Sequence, residues 1–184
     1  MEYKTLPGTS LKLSQLCLGT MMFGGQTSEA DSLQIMDYAY SQGINFFDTA
    51  NTYVQGESEF IVGKGLKGRR HDILLATKVR GQMGSGRNDV GLNRRNILAA
   101  LEASLQRLDT DYLDLYYLHA PDYDTSLEET VETMSNLVKS GKIRYWGVSN
   151  FAAWQVAQQI QNATLVTIVC DRGDRYLSTG VFPA

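Results

Sequence analysis

Hydrophobic and polar positions alternate first in two short runs, Tyr3 to Leu6 and Ser10 to Leu13, separated by the turn pair Pro7-Gly8. That pattern predicts an N-terminal β-hairpin. Beyond it the pattern changes to short apolar blocks without strict alternation: Gln15 to Gly19, Ile44 to Thr49, Ile73 to Lys78, Leu113 to His119, Tyr145 to Ser149 and Leu165 to Cys170. Such blocks are expected of parallel strands buried on both faces.

Helix-period segments lie between these blocks. Ser28-Glu29-Ala30-Asp31 reads as a capped start, followed by Leu33, Met36 and Tyr40 on one face. Ile97, Leu101, Leu105 and Leu108 make a second stripe. Thr125-Ser126-Leu127-Glu128 has the spacing of a capping box and precedes Leu127, Val131, Met134 and Val138. Gly43 and Gly141 are placed to end helices through a left-handed residue.

Alternation of strand and helix implies a parallel sheet with right-handed crossovers, either doubly wound or closed into a barrel. Gly19-Thr20-Met21-Met22-Phe23-Gly24-Gly25 is not a Gly-x-Gly-x-x-Gly turn, and no Gly-Lys-Ser/Thr phosphate loop occurs. Instead, Asp48, Lys78, His119, Ser149 and Asn150 all fall at the C-terminal ends of strand blocks. A barrel gathers those ends on one face. With 184 residues the chain is short for eight βα units, which take about 250 residues. The expected fold is therefore α/β: a partial (β/α)8 TIM barrel with an N-terminal hairpin, about five βα units and one extra strand.

Composition narrows the partners. A net charge of −3 offers no basic field for nucleic acid, and no apolar run approaches membrane-spanning length. Cys17 and Cys170 have neither metal-ligand spacing nor the numbers for a disulfide framework. Each is expected to be a packed thiol in a reducing cytosol, and no metal site is expected.

Taken singly, Asp48 reads as a turn acid, Tyr53 as a rim aromatic, Lys78 as a solvated strand end and His119 as a structural histidine. Together they have a chemical task. A phenol titrates near pH 10, and a nearby ammonium favours its anion. Asp48 would hold Lys78, Lys78 would tune Tyr53, and His119 would hydrogen-bond a carbonyl or the phenol. Tyr53 then serves as a general acid toward a carbonyl oxygen, with hydride supplied by a cofactor.

Longer stretches around these residues resemble the aldo-keto reductases. They are Asn45-Phe46-Phe47-Asp48-Thr49-Ala50-Asn51-Thr52-Tyr53 with Gly56-Glu57-Ser58-Glu59, Leu75-Ala76-Thr77-Lys78, Leu113 to His119, Gly141 to Phe151, and Leu18-Gly19-Thr20-Met21. The resemblance covers about residues 1–162. It implies NADPH-dependent reduction of an aldehyde or ketone to an alcohol, with Asp48, Tyr53, Lys78 and His119 catalytic. It also implies that Gly19, Thr20, Met21, Asp48, Ser149 and Asn150 contact NADP(H), with a small carbonyl compound as substrate. The polar loop Gln82 to Gly91 reads as a surface connection, or alternatively as a substrate-side loop.

Residues 163–184 depart from that pattern. From Thr164 to Phe182 they resemble the end of a pyridoxal-phosphate-dependent cysteine synthase, without that family's lysine or phosphate loop, so no pyridoxal phosphate is expected. The family's sixth strand with its stacking tyrosine, and its phosphate-binding loops, are not found there. Two further expectations follow: self-association through open barrel edges, and, as the competing function, a catalytically inactive truncated or chimeric fragment or an interaction protein.

Overall fold

In the computed structural model the described residues are 1–151 together with the strand Thr167–Ile168. The expected hairpin forms from β1 (Tyr3–Thr5) and β2 (Lys12–Ser14), paired antiparallel with Tyr3 opposite Ser14. Next come β3 (Leu18–Gly19), α1 (Glu29–Ser41), β4 (Phe46–Asp48), α2 (Glu57–Gly65), β5 (Leu74–Val79), α3 (Arg94–Leu108), β6 (Leu113–Leu118), α4 (Leu127–Lys139), β7 (Ile143–Ser149) and β8 (Thr167–Ile168).

The six strands β3 to β8 form one parallel sheet in sequential order. A doubly wound sheet reverses its strand order part-way, and this one does not. Sequential order with right-handed crossovers keeps the helices on one face and curls the other inward, which is barrel geometry. β8 pairs beside β7, Val148 opposite Thr167 and Ser149 opposite Ile168. This is the placement expected for the extra strand. The helix expected after β7, the boundary at Asn162 and Cys170 lie outside the described residues.

Side chains divide by strand parity. Phe47, Leu75, Val79, Tyr116 and Leu118 face the helices and pack with Met36, Ile61, Ile97, Leu101, Leu108 and Met134. Phe46, Ala76, Leu115 and Tyr117 form a separate inner cluster. The hairpin closes the end of the barrel from which the strands start. Ser14 donates its N–H to Asn45 Oδ1 at 2.8 Å, Asn45 Nδ2 donates to the Lys12 carbonyl at 3.0 Å, and Leu13 packs on the inner cluster.

Local expectations fare unevenly. Ser28 caps α1, its hydroxyl accepting from the Asp31 N–H, and Gly43 and Gly141 follow α1 and α4 at φ of 83° and 78°. The stripe Ile97, Leu101, Leu105 and Leu108 is buried as expected. The capping box at Thr125 is corrected by one residue: Ser126 is the cap and accepts from the Glu129 N–H at 3.2 Å. The α4 stripe is corrected too. Its buried face is Thr130, Thr133, Met134 and Leu137, while Val138 is exposed. The threonines bury because their hydroxyls are satisfied, Thr133 by the Glu129 carbonyl and Thr130 by that of Leu92.

Cys17 is exposed rather than packed, because the first barrel strand starts only at Leu18. No helix among the described residues is long and apolar enough to cross a membrane.

Candidate active site

β5 carries the centre of the site. Asp48 ends β4, Lys78 stands near the end of β5, and both side chains point to the barrel interior from neighbouring strands. Lys78 is fully buried, which overturns its reading as a solvated strand end. Its Nζ donates to Asp48 Oδ1, to the Thr49 carbonyl at 2.9 Å and to the Tyr53 hydroxyl at 3.1 Å. Three acceptors use the three N–H bonds of an ammonium and fix its position. The same nitrogen lies 4.8 Å from the centre of the Tyr53 ring. His119 follows β6, with its backbone N–H bonded to the Val79 carbonyl at 2.9 Å. Its ring meets Tyr53 edge-on at 5.9 Å between centroids.

The backbone sets Tyr53 in place through an unusual turn. Val54 (φ 48°, ψ 44°), Gln55 (φ 56°, ψ 33°) and Gly56 (φ 94°) are all left-handed. Only Gly56 suits that region sterically, and a β-branched valine there is strained. The turn delivers the chain directly into α2, whose Ser58 joins a buried hydroxyl cluster beneath the site. Thr20 Oγ1 lies 2.8 Å and Thr49 Oγ1 3.0 Å from Ser58 Oγ, and Ser58 donates to the Thr20 carbonyl at 2.8 Å.

Electrostatics follow burial. Burial works against the Lys78 ammonium, but Asp48 and then Tyr53 outweigh it and raise its pKa above the usual lysine value. Burial also pushes the Asp48 carboxyl up, with Lys78 opposing. His119 falls to about 4, first by burial, then through the charges of Lys78 and Arg80. Its imidazole is therefore neutral at pH 7.

The remaining expected residues occupy the same face. Ser149 is fully buried at the end of β7. Asn150, left-handed at φ 60°, donates Nδ2 to the His119 carbonyl at 2.8 Å and to Ser149 Oγ at 3.0 Å. Gly19 ends β3, Thr20 is buried with its hydroxyl tied to the Asp48 carbonyl, and Met21 stands exposed at the surface.

A model of the aldo/keto reductase family matches residues 15–174. The chain belongs to the aldo/keto reductase family. That match runs past the boundary expected at Asn162. Norsolorinic acid reductase B of Dothistroma septosporum is 41% identical over 179 residues, covering 89% of this chain and 46% of that protein. A protein of Arabidopsis thaliana named probable voltage-gated potassium channel subunit beta is 40% identical over 162 residues, covering 86% of this chain and 49% of its own length. The holo form of the aldo-keto reductase AKR11C1 from Bacillus halodurans superposes with a TM-score of 0.81 at 39% identity, covering 90% of this chain and 56% of that one. The chain thus spans about half the length of the curated relatives it matches.

Two features near the site had no clear counterpart among the sequence motifs. Asn51 is buried, yet neither atom of its amide has a hydrogen-bond partner. Its position inside the Asp48-to-Tyr53 stretch was the only available signal. A second buried charge pair, Glu59 with Arg107, spans 48 residues of sequence and left no local mark.

Proposed function

We propose that the chain reduces an aldehyde or ketone to an alcohol with NADP(H), Tyr53 being the proton donor. One observation carries this reading: the Lys78 ammonium donates to the Tyr53 hydroxyl oxygen while Asp48 anchors the ammonium from the other side. The phenol oxygen thereby accepts from a cation, which favours its anion and makes its proton easier to give up. A bound carbonyl oxygen takes that proton, and the developing phenolate is held by Lys78. Neutral His119, edge-on to the Tyr53 ring, offers an N–H to the same oxygen and orients it.

The residues present fit the nicotinamide end of the cofactor. Asp48 Oδ2 is buried with no hydrogen-bond partner, an acceptor that suits a ribose hydroxyl. Asn150 spends Nδ2 within the protein, which leaves its amide oxygen for a carboxamide N–H, with Ser149 beside it. Gly19, Thr20 and Met21 border this region from β3. When bound, the cofactor supplies a hydride to the carbonyl carbon. The stretch 163–184 contributes no step to this proposal.

The test is NADPH consumption with benzaldehyde. Tyr53→Phe is expected to lower turnover about 100- to 10,000-fold, the range for loss of a positioned acid. Equal turnover in the variant rejects Tyr53 as the donor.

A second reading, an interaction protein, draws on the 40% identity to the channel beta subunit. It predicts NADPH binding or none, but no turnover by the wild-type chain. Self-association through the sheet's end strands, β3 and β8, is proposed alongside; a sharp monomer in sedimentation velocity rejects it.

A further inference from the structure

Arg80 stands just past the end of β5, two residues beyond Lys78, on the face that holds Tyr53 and His119. Its side chain crosses to the loop after β6. Nε donates to the Pro121 carbonyl at 3.1 Å, two residues from His119, and the Arg80 carbonyl accepts from the Gly91 N–H at 2.8 Å. The guanidinium is therefore tethered at one nitrogen beside the site.

No carboxylate is close enough to form an ion pair with the Arg80 guanidinium among the described residues; the nearest interacting acid is Asp122, beside Pro121, whose carboxyl is already engaged by the Leu92 N–H, the Thr125 hydroxyl and the Asp124 N–H. Arg69, Arg70, Arg94, Arg107 and Arg144 each have a carboxylate oxygen within 4.0 Å. Among the described residues Arg80 has none, and its two Nη groups make no hydrogen bond. The charge is felt at the site all the same, since it contributes to keeping His119 neutral. Lys78, the other cation there, is already neutralised by Asp48. A tethered guanidinium with an unused two-nitrogen fork, beside a carbonyl-protonating tyrosine, matches the geometry of a carboxylate. The exposed apolar side chains of Met21, Met22 and Tyr123, in the loops after β3 and β6, suit an apolar body on the same molecule.

We propose that Arg80 is a specificity-determining residue that selects carbonyl substrates bearing a carboxylate. The proposal rests on the carbonyl-reductase reading above and adds a substrate class to it.

The experiment measures kcat/KM with NADPH for benzaldehyde and for 3- and 4-carboxybenzaldehyde, in wild type, Arg80→Met and Arg80→Lys, at low and high salt. The wild type is expected to prefer a carboxylated aldehyde about 10-fold or more, the size of one charge-assisted contact at an accessible site. Arg80→Met should bring the ratio near one, Arg80→Lys should restore part of it, and salt should shrink it. A wild-type ratio near one, or a ratio that survives Arg80→Met, overturns the proposal. If the wild type turns over no aldehyde at all, the reductase reading fails separately. Saturation-transfer NMR with 4-(hydroxymethyl)benzoate and benzyl alcohol then decides the anion site. Binding of the benzoate alone, lost in Arg80→Met and partly regained in Arg80→Lys, sustains it; equal binding of both compounds, or of either variant, removes it.

Discussion

Two buried charge clusters sit on opposite faces of β5, one residue apart in sequence. On the inner face Lys78 meets Asp48 and Tyr53. On the outer face Thr77 donates to Glu59 Oε1 at 2.5 Å, while Arg107 Nε donates to Glu59 Oε2 at 2.7 Å. Both clusters hold a buried carboxylate against a cation. The outer one is closed: both Glu59 oxygens are engaged, and Arg107 is further tied to Ser104 at 3.3 Å. The inner one is open, with Asp48 Oδ2 buried and without a hydrogen-bond partner. Closure marks a clasp between β5, α2 and α3. Spare hydrogen-bonding capacity is what the proposed reaction asks of the inner cluster.

Gly63 permits the outer clasp. A Cβ there would lie 2.7 Å from the Arg107 carbonyl oxygen, so α2 and α3 meet backbone to backbone. The inner cluster needs no such contact, because adjacent strands already bring Asp48 and Lys78 together.

The contrast is broken most severely at Lys78. Lys78→Met should abolish measurable aldehyde reduction and cost about 3–5 kcal/mol of stability, since Asp48 loses its buried partner. Adding Asp48→Asn should recover much of the stability and none of the turnover, read by urea denaturation and NADPH consumption. Arg107→Met should cost a similar 3–5 kcal/mol by stranding Glu59, yet leave turnover per folded molecule unchanged below the melting range. A parallel loss of turnover at full folding would erase the distinction between the two clusters.

A smaller effect follows from His119. Its pKa is about 4 in the folded chain against 6.5 when free. Between those values the unfolded chain takes up a proton that the folded chain refuses. Stability from this group is therefore complete above pH 6.5, falls as pH drops toward 4, and levels off below. Urea midpoints at pH 7, 5.5 and 4.5 should show a shallower decline in His119→Gln than in wild type. The smallest expected effect is a gain: Val54→Asn, better suited to φ 48°, should raise stability by about 1 kcal/mol in a thermal melt.

What the sequence disclosed depended on chain distance. Asp48 and Tyr53 lie in one short stretch, and Lys78 and His119 each close an apolar strand, so the site was readable residue by residue. Alternation of blocks pointed to a parallel sheet, and the polar residues at the strand ends favoured the sequential order of a barrel over a doubly wound one. α2 was missed because Gly63 and Gly65 hide a helical period within only nine residues. The α4 face was misjudged because Thr130 and Thr133 look polar and yet are buried with their hydroxyls satisfied. Arg80 was unremarkable in sequence, since its position matters only against Pro121, 41 residues away.

The hairpin at the far end of the barrel acts as an insulator. Leu13 packs against the inner cluster of Phe46, Ala76, Leu115 and Tyr117, which lies on the same face of the sheet as Lys78. Water entering there would raise the local permittivity and weaken the attraction between Lys78 and its partners. The two short strands β1 and β2, which hold none of the four groups proposed to act, thus help determine how strongly the ammonium acts on the phenol.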